Sequence, residues 1–383
     1  MESLPMPRAA RSICLATALL GLPAAAALPS QPAPPASPGG PRQMLIQWMP
    51  GEVRCRGTMV SGQAIRRPWN MLGWTVEAAP RSTTLRFAID ERGRPVSISR
   101  DGPDYLPFGD DILPAMAASR FPAGKPHEGC GVTFTMQAVP LDQAAAPELM
   151  SYTINPLSGR LPEEGWKSIR ASGGPCLDTP LPRALIRHIP DFVKIPATPG
   201  VRDWSMIRYD LNAAGKPVHA AILTGTGNAA LNAAGLTAMR ASRFTRGART
   251  GCLAPYWREA GTLPAPDMPE AIRATRVADG NCPDEHGWAT PPQLRFPEPY
   301  RRRRIEGWAV IRYDVAPWGE LGNLTVIASE PTADFGRQAI TVLRSARLPA
   351  QRQGYVGCVD RVRFDMGPQT DPGLSGSEGA PPA

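Results

Sequence analysis

The sequence is poor in lysine and histidine and has no long apolar run. Four of its 42 basic side chains are lysine, and four residues are histidine. It contains no Cys-x-x-Cys pair and no clustered histidines, so a zinc site is not expected. It also lacks a Gly-x-Ser-x-Gly elbow and a Gly-x4-Gly-Lys phosphate loop. Because these common catalytic and nucleotide-binding motifs are missing, we expect a non-enzymatic protein without a cofactor or metal.

The bulk composition is that of a globular protein with a basic surface. Its 383 residues suffice for two to four domains with separate cores. Forty-two basic and 34 acidic side chains give a net charge of +8, which favours solubility and weak attraction to anionic surfaces. The arginines are not interleaved with stacking aromatic residues, so nucleic acid is not an expected partner.

One arrangement of residues occurs three times along the chain. It consists of an Arg-aromatic pair, a glycine six residues after the aromatic, an apolar residue 28 or 29 residues after that glycine, and a Gly-Cys pair. The three copies are Arg86-Phe87, Gly93, Phe121 and Gly129-Cys130; Arg208-Tyr209, Gly215, Phe244 and Gly251-Cys252; and Arg312-Tyr313, Gly319, Leu348 and Gly357-Cys358. Agreement of this kind predicts three homologous units.

A second cysteine precedes each copy at an almost constant distance. Cys55, Cys176 and Cys282 lie 75, 76 and 76 residues before the closing cysteines. The seventh cysteine, Cys14, lies in a predicted signal peptide described below, and its removal leaves six. Six cysteines allow fifteen pairings, and an even number in an exported chain favours disulfides. Because each unit owns two cysteines at a constant spacing, pairing within the unit is the economical interpretation: Cys55–Cys130, Cys176–Cys252 and Cys282–Cys358.

Each unit has the hydrophobic pattern of two strands, a helix and a final strand. Alternation at Leu85, Phe87 and Ile89 predicts a strand with one buried face, and a glycine turn leads to the next strand. Helical spacing follows, at Phe335, Ala339, Val342, Leu343 and Ala346 in the third unit and from Phe108 in the first. The predicted final strands are Val132–Thr135, Leu253–Trp257 and Val359–Phe364. The predicted fold class is α+β, with three tandem ββαβ units that each pack a helix on an antiparallel sheet.

The third unit resembles the C-terminal domain of TonB proteins. The features that carry the resemblance are Pro299-Tyr300, then Ile305-Glu306-Gly307, the strand Trp308–Val315, the glycine turn, and Arg347-Leu348-Pro349 after the helix. The second and first units resemble the same family less closely. The paired cysteines are not part of the usual family pattern.

The resemblance implies a protein-binding module associated with TonB-type envelope transport. An exposed sheet edge accepts an extended peptide as an added strand, and members of the family are thought to engage outer-membrane receptors in this way. We therefore expect an envelope protein, such as an outer-membrane receptor, to pair with the last strand of the third unit. The residues expected at this edge are Val359, Arg361, Val362, Arg363 and Phe364.

The N-terminal part of the sequence predicts export. Arg8 and Arg11, a short apolar run at 13–22 and small residues at 24–27 are typical of a cleaved signal peptide, so we expect a periplasmic protein with at most peripheral membrane contact. An uncleaved inner-membrane anchor is the alternative.

The predicted organisation is a signal peptide at 1–27, a proline-rich linker at 28–42, units at 43–146, 147–262 and 263–366, and a disordered tail at 367–383. The linker, at about 3.1 Å per residue, is too short to cross a periplasm, so energy transduction is not expected.

The densest charge cluster is Arg301, Arg302, Arg303 and Arg304. One interpretation is contact with an anionic partner, such as lipid head groups or a cell-wall polymer. The other is a solvated short helix whose arginine stems cover apolar surface. The first interpretation supports an alternative function, in which basic repeats bind an anionic envelope polymer with avidity.

Overall fold

A computed structural model describes residues 42–62, 64–75, 81–103, 105–278, 280–283 and 287–367. The predicted signal peptide, the linker up to residue 41 and the tail from residue 368 lie outside the described residues. Within the described ranges, no helix is both long and apolar enough to span a membrane.

The first segment, residues 43–146, forms a sheet around one long strand. Strand β7 pairs with β1, β2 and β5, β1 pairs with β4, and β6 pairs with β5. All of these pairings are antiparallel. The elements are β1 Arg42–Pro50, β2 Arg54–Cys55, β3 Thr58–Met59, β4 Met71–Thr75, β5 Ser82–Ile89, β6 Pro95–Arg100, α1 Ile112–Ala117 and β7 His127–Pro140.

The second segment, residues 147–262, has a three-stranded antiparallel sheet in the order β10-β9-β12. Two helices precede this sheet, and two short strands, β8 and β11, pair beside it. The elements are α2 Ala146–Ile154, α3 Glu163–Ser172, β8 Ala184–Ile186, β9 Asp203–Leu211, β10 Pro217–Gly225, α4 Ala229–Ala241, β11 Arg243–Phe244 and β12 Arg249–Arg258, with 3₁₀ turns at Pro175–Leu177 and Phe192–Lys194.

The third segment, residues 263–366, has a three-stranded antiparallel sheet in the spatial order β14-β13-β15. Along the chain, a helix lies between β14 and β15. Its elements are α5 Glu270–Arg273, α6 Glu298–Arg303, β13 Gly307–Val315, β14 Leu321–Glu330, α7 Ala333–Arg344 and β15 Tyr355–Phe364. The described chain is therefore a mixed α/β structure with antiparallel sheets. The order strand, strand, helix, strand is seen in β5-β6-α1-β7 and β13-β14-α7-β15, and in β9-β10-α4-β12 with the short strand β11 between α4 and β12.

The hairpin glycines explain part of the sequence pattern. Gly93, Gly215 and Gly319 have φ values of 74°, 75° and 89°. The carbonyl of each accepts a 2.9 Å hydrogen bond from the backbone N–H of Phe121, Phe244 or Leu348. A Cβ at each glycine would lie 2.0–2.2 Å from the carbonyl oxygen of the same partner residue. The contact tolerates only glycine, because it needs both a positive φ and a close backbone approach.

A bulge distorts the second strand of each hairpin four residues after the glycine. Ser97, His219 and Asn323 have φ values of 53°, 52° and 50° at these positions. The pairing register shifts nearby in all three hairpins. The bulge was not predictable from the sequence, because Ser97, His219 and Asn323 have three different side chains.

The helices follow the predicted hydrophobic spacing with two differences. In α7, Phe335, Ala339, Val342 and Leu343 are buried, whereas Ala346 lies beyond the end of the helix. Helix α1 begins at Ile112, so Phe108, with a φ of 60°, precedes it. Pro114 is the third residue of α1, where a helix does not require its N–H.

The first and third segments share one hydrophobic core. Ile98, Phe134, Ile311 and Phe335 all belong to it and are at most 1% exposed. A second core joins α2, α3 and one face of β9 to Leu45 and Leu72 of the first segment, and a third lies between α4 and the other face of β9. Because the first two cores each span more than one segment, the stabilities of the segments are expected to be coupled.

Three disulfides connect the expected cysteines. They join Cys55 to Cys130, Cys176 to Cys252 and Cys282 to Cys358. Each ties the region before a hairpin to the strand that follows the helix. All but Cys282 are buried, so these bonds form part of the packed interior.

Candidate partner-binding edges of the third sheet

The third sheet has two outer strands, β14 and β15, on either side of β13. Strand β13 is buried over most of its length and pairs with both neighbours. In the described part of the chain, each outer strand pairs with β13 alone. Unpaired backbone groups on an outer strand are the chemical requirement for adding a partner strand.

The edge expected from the sequence, β15, is partly flanked by the chain that precedes the sheet. The backbone N–H of Asn281 donates to the carbonyl of Val356 (3.1 Å), and the Asn281 Oδ1 accepts from the N–H of Val356 (2.6 Å). Further along the strand, the Arg361 guanidinium donates to the carbonyls of Arg273 and Thr275. These contacts place Arg273, Thr275 and Asn281 beside β15.

The expected edge residues differ in exposure. Val359 and Val362 are half-buried, and Arg363 is exposed. Phe364 is fully buried, with its ring centroid 5.8 Å from Phe296 and 5.2 Å from Phe335. Its side chain therefore belongs to the core and cannot contact a partner, although its backbone remains on the outer strand.

The opposite edge, β14, is more exposed. Thr325, Val326 and Ile327 are all exposed, the last two by 41% and 38%. No charged residue lies between Leu321 and Ser329. Outer strands of soluble proteins are usually protected by charged side chains, so an uncharged, apolar outer strand is suited to strand addition.

Helix α7 packs closely against this strand through a glycine. A Cβ at Gly336 would lie 2.8 Å from Cγ1 of Val326. The close packing supports the inner face of β14. Its last residue, Glu330, accepts hydrogen bonds from Ser97 of β6, whereas Thr325–Ile327 remain exposed. This edge was not predicted from the sequence, although the uncharged run Leu324–Ala328 is a signal that could have indicated it.

Residues 292–366 match the family described as the Gram-negative bacterial TonB protein C-terminal. This part of the chain therefore contains a TonB C-terminal domain. It covers the third sheet, both outer strands and α7. A search of curated proteins finds no match to the chain. TonB C-terminal domains typically interact with envelope proteins, so this match indicates a protein-interaction module.

Two residues of the TonB C-terminal match, Tyr300 and Gly307, have roles that the geometry explains. The buried Tyr300 hydroxyl is 2.6 Å from Thr332 Oγ1 and donates to an Asp334 carboxylate oxygen at 2.6 Å. Burial raises the pKa of Tyr300 well above its ordinary value. A Cβ at Gly307 would lie 2.6 Å from both the Phe335 ring and a backbone carbonyl, so helix and strand approach each other there. Tyr300 and Gly307 are thus packing residues.

The four arginines just before the sheet do not form one surface. Arg301 is exposed and pairs with Glu298 at 2.6 Å. Arg302 is half-buried. Arg304, with a φ of 54°, donates to the hydroxyl of Thr262 at 2.9 and 3.2 Å. Arg303 is 1% exposed and cannot reach an external anion. The expectation that all four form an anionic contact is therefore corrected for Arg303.

Arg303 joins all three segments in the interior. Its Nε and Nη2 donate to the Asp111 carboxylate at 2.6 and 2.5 Å. It also donates to the carbonyls of Arg67 (3.2 Å) and Gly200 (3.4 Å). The Trp69 ring lies 4.6 Å from the guanidinium carbon, within the range of a cation–π contact. These four partners belong to the first and second segments, so Arg303 links the TonB C-terminal domain to the rest of the chain.

Two strand-surface carboxylates have structural partners. Asp314 accepts from the backbone N–H of Gly357 (2.9 Å) and from the Asn323 side chain (2.8 Å), and these bonds hold its pKa below the usual range. Asp210 accepts from the N–H of Gly251 (2.8 Å) and lies 3.0 Å from the His219 ring. Among the described residues, no group of three or more His, Cys, Asp or Glu side chains could hold a metal ion.

Proposed function

We propose that this chain is an exported, periplasmic and non-enzymatic protein that binds an envelope protein by strand addition at the third sheet. The match of residues 292–366 to TonB C-terminal domains, on a sheet with an exposed outer strand, is the observation that carries the proposal. The partner is an extended segment of an envelope protein, such as an outer-membrane receptor used in TonB-type transport. We assign its docking to β14, and β15 is the second candidate edge.

We further propose that the chain holds three tandem units of the TonB C-terminal type. The support is the recurrence of one backbone contact, one bulge and one disulfide in equivalent places. In each segment the carbonyl of the turn glycine accepts a hydrogen bond from a backbone N–H beyond the end of the helix, as the Gly319 carbonyl does from Leu348. The domain boundaries at 43–146, 147–262 and 263–366 follow from this recurrence.

The exposure of the two edges ranks them as docking sites. Thr325–Ile327 of β14 is exposed and uncharged, and the contact of β14 with Ser97 of β6 lies at the end of the strand, at Glu330. At β15, contacts of Asn281 and Arg361 with neighbouring residues already occupy part of the strand. Displacing those contacts would cost binding free energy, which favours β14.

A pull-down from Gram-negative envelope extract tests the proposal. The bait is the full exported chain, and the test variant is Ile327→Lys, because a charge on an outer strand opposes strand addition. Leu223→Lys is the matched control, since Leu223 is 41% exposed and lies eight residues after Gly215, as Ile327 does after Gly319. We expect Ile327→Lys to lose at least tenfold in captured partner, and Leu223→Lys to retain it.

Val362→Pro separates the two edges, because proline removes a backbone donor from β15. If it abolishes capture while Ile327→Lys does not, β15 is the docking edge and the assignment to β14 is wrong. If neither variant changes capture while both remain folded, strand addition at the third sheet is refuted. Sedimentation of the chain with purified cell wall, independent of any captured protein, would instead support binding to an anionic polymer.

A further inference from the structure

The second segment contains a cavity that strand addition does not use. It lies between α3, the outer strand β12 and the loop at 177–181, and has a volume of about 640 Å³. Ligand sites for small molecules usually have volumes of about 300–1,000 Å³ and mainly apolar linings. The cavity therefore has the size of a small-molecule site.

The floor of the cavity is apolar and buried. Met150, Ile169 and Met206 are between 1% and 5% exposed. Trp166 and Leu253 are half-buried and complete the walls. Methionine side chains are flexible and polarisable, so a floor with two of them adapts to apolar ligands of different shape.

The outer strand beside the cavity is poorly suited to pairing with a peptide. Pro255 lies in β12 opposite Met206 and has no backbone N–H. The Gly251 carbonyl, earlier in the same strand, already accepts from the N–H of Gly174. The strand lacks a backbone donor at Pro255 and is covered at its start. These features disfavour the addition of a peptide strand, so a small molecule is the better candidate for the occupant of the cavity.

The charged side chains that line the cavity, Glu163, Arg170 and Asp178, sum to a charge of −1; Arg249 bonds the carbonyls of Pro175 and Pro180 but is not among the lining residues. Glu163 and Arg170 form an ion pair and largely cancel each other. Asp178 is exposed and has no ion-pair partner in the described part of the chain. Opposite charges attract at short range, so the rim favours a ligand whose polar end is cationic over one whose polar end is anionic.

We propose that this cavity binds a small amphiphile with a single aliphatic chain and a cationic head. The chain lies over Met150, Ile169 and Met206, and the head remains at the rim beside Asp178. Trp166 supplies an aromatic face for the first part of the chain or for the head itself.

Calorimetric titration of the full chain with hexyl-, octyl- and decyltrimethylammonium, below their micelle-forming concentrations, tests the proposal. Each methylene transferred from water to the cavity floor is expected to tighten binding about fourfold, which corresponds to about 0.8 kcal/mol. Decanol and decanoate are the neutral and anionic comparisons. Decyltrimethylammonium is expected to bind more tightly than decanoate.

Two variants and one control locate the site. Leu253→Trp fills the cavity from β12 and is expected to weaken binding of the decyl compound at least tenfold. Leu223→Trp, in the same sheet but outside the cavity, is the matched control and should bind as the natural chain does. Asp178→Asn should weaken binding of the cation by about fivefold at most and leave decanol unchanged, because a partly exposed charge contributes little.

Three results would overturn the proposal. The first is the absence of saturable binding by any cationic chain. The second is equal binding by Leu253→Trp and the natural chain, with both shown to be folded by circular dichroism. The third is tighter binding of decanoate than of decyltrimethylammonium, which would refute the assignment of the head group.

Discussion

The buried ion pair between Arg303 and Asp111 provides the sharpest stability test. The two side chains are 192 residues apart in the sequence and are only 2% and 3% exposed. Replacing Arg303 by methionine preserves much of the side-chain volume but leaves the Asp111 carboxylate buried without its counter-charge. The carbonyls of Arg67 and Gly200 lose a donor in the same variant.

The expected cost is a large part of the stability of the protein. Removing one partner of a buried ion pair typically costs about 3–5 kcal/mol, because the remaining charge is desolvated without compensation. The net stability of a domain is about 5–15 kcal/mol. Arg303→Met should therefore lower the free energy of unfolding by about 3–5 kcal/mol. Arg301→Met is the control and should cost about 1 kcal/mol or less, since the ion pair of Arg301 is exposed.

Urea unfolding followed by circular dichroism measures both variants under identical conditions. A double variant, Arg303→Met with Asp111→Leu, should be less destabilised than the sum of the two single variants, because it leaves no buried charge unpaired. If Arg303→Met costs no more than Arg301→Met, the pair does not connect the segments as described. Strict additivity in the double variant would likewise refute the reasoning.

Three further outcomes are expected from changes in the third segment. Gly319→Ala should be strongly destabilising in thermal unfolding, because its Cβ would lie 2.0 Å from a backbone carbonyl at a φ of 89°, whereas Gly322→Ala, with open space, should be nearly neutral; equal effects would contradict this. Cys282→Ala opens a disulfide between residues 76 apart and should cost about 4 kcal/mol, with loss of structure spreading to the first segment through the shared core; a hydrogen-exchange change confined to the third segment would argue against that coupling. Asp314 has a lowered pKa, so its contribution is present above the ordinary value and is lost as pH falls; the difference in unfolding free energy between the natural chain and Asp314→Asn should be constant above about pH 5 and shrink below about pH 4, and a difference that instead grows on acidification would contradict the assignment.

Much of the local structure could be predicted from the sequence because it depends on short-range chemistry. The turn glycines, the alternation in β13 and the helical spacing in α7 all follow from backbone sterics and one-sided burial. The cysteine pairs could be chosen because their spacing is repeated.

The features that the sequence did not predict depend on contacts between distant residues. Arg303 lies in a run of four arginines and has the composition of a surface helix, and only the position of Asp111 makes its burial favourable. Helix α3 was missed because it has few apolar residues, and Trp166 and Ile169 acquire their roles only where the helix covers the second sheet. The cavity in the second segment likewise exists only because α3 packs beside the second sheet.

The first segment shows how the chain itself occupies the edge of one hairpin. The N–H of Ile98 in β6 donates to the carbonyl of Pro331, and Ile98 forms a parallel bridge with Thr332. Beside it, the N–H and hydroxyl of Ser97 donate to the Glu330 carboxylate at 2.7 and 2.6 Å, while burial raises the pKa of Glu330. The last residue of β14 and the two residues that follow it thus meet the outer side of β6. Because β14 occupies the same place in the third hairpin but is exposed at Thr325–Ile327, the same type of contact is open there to a segment from a different protein.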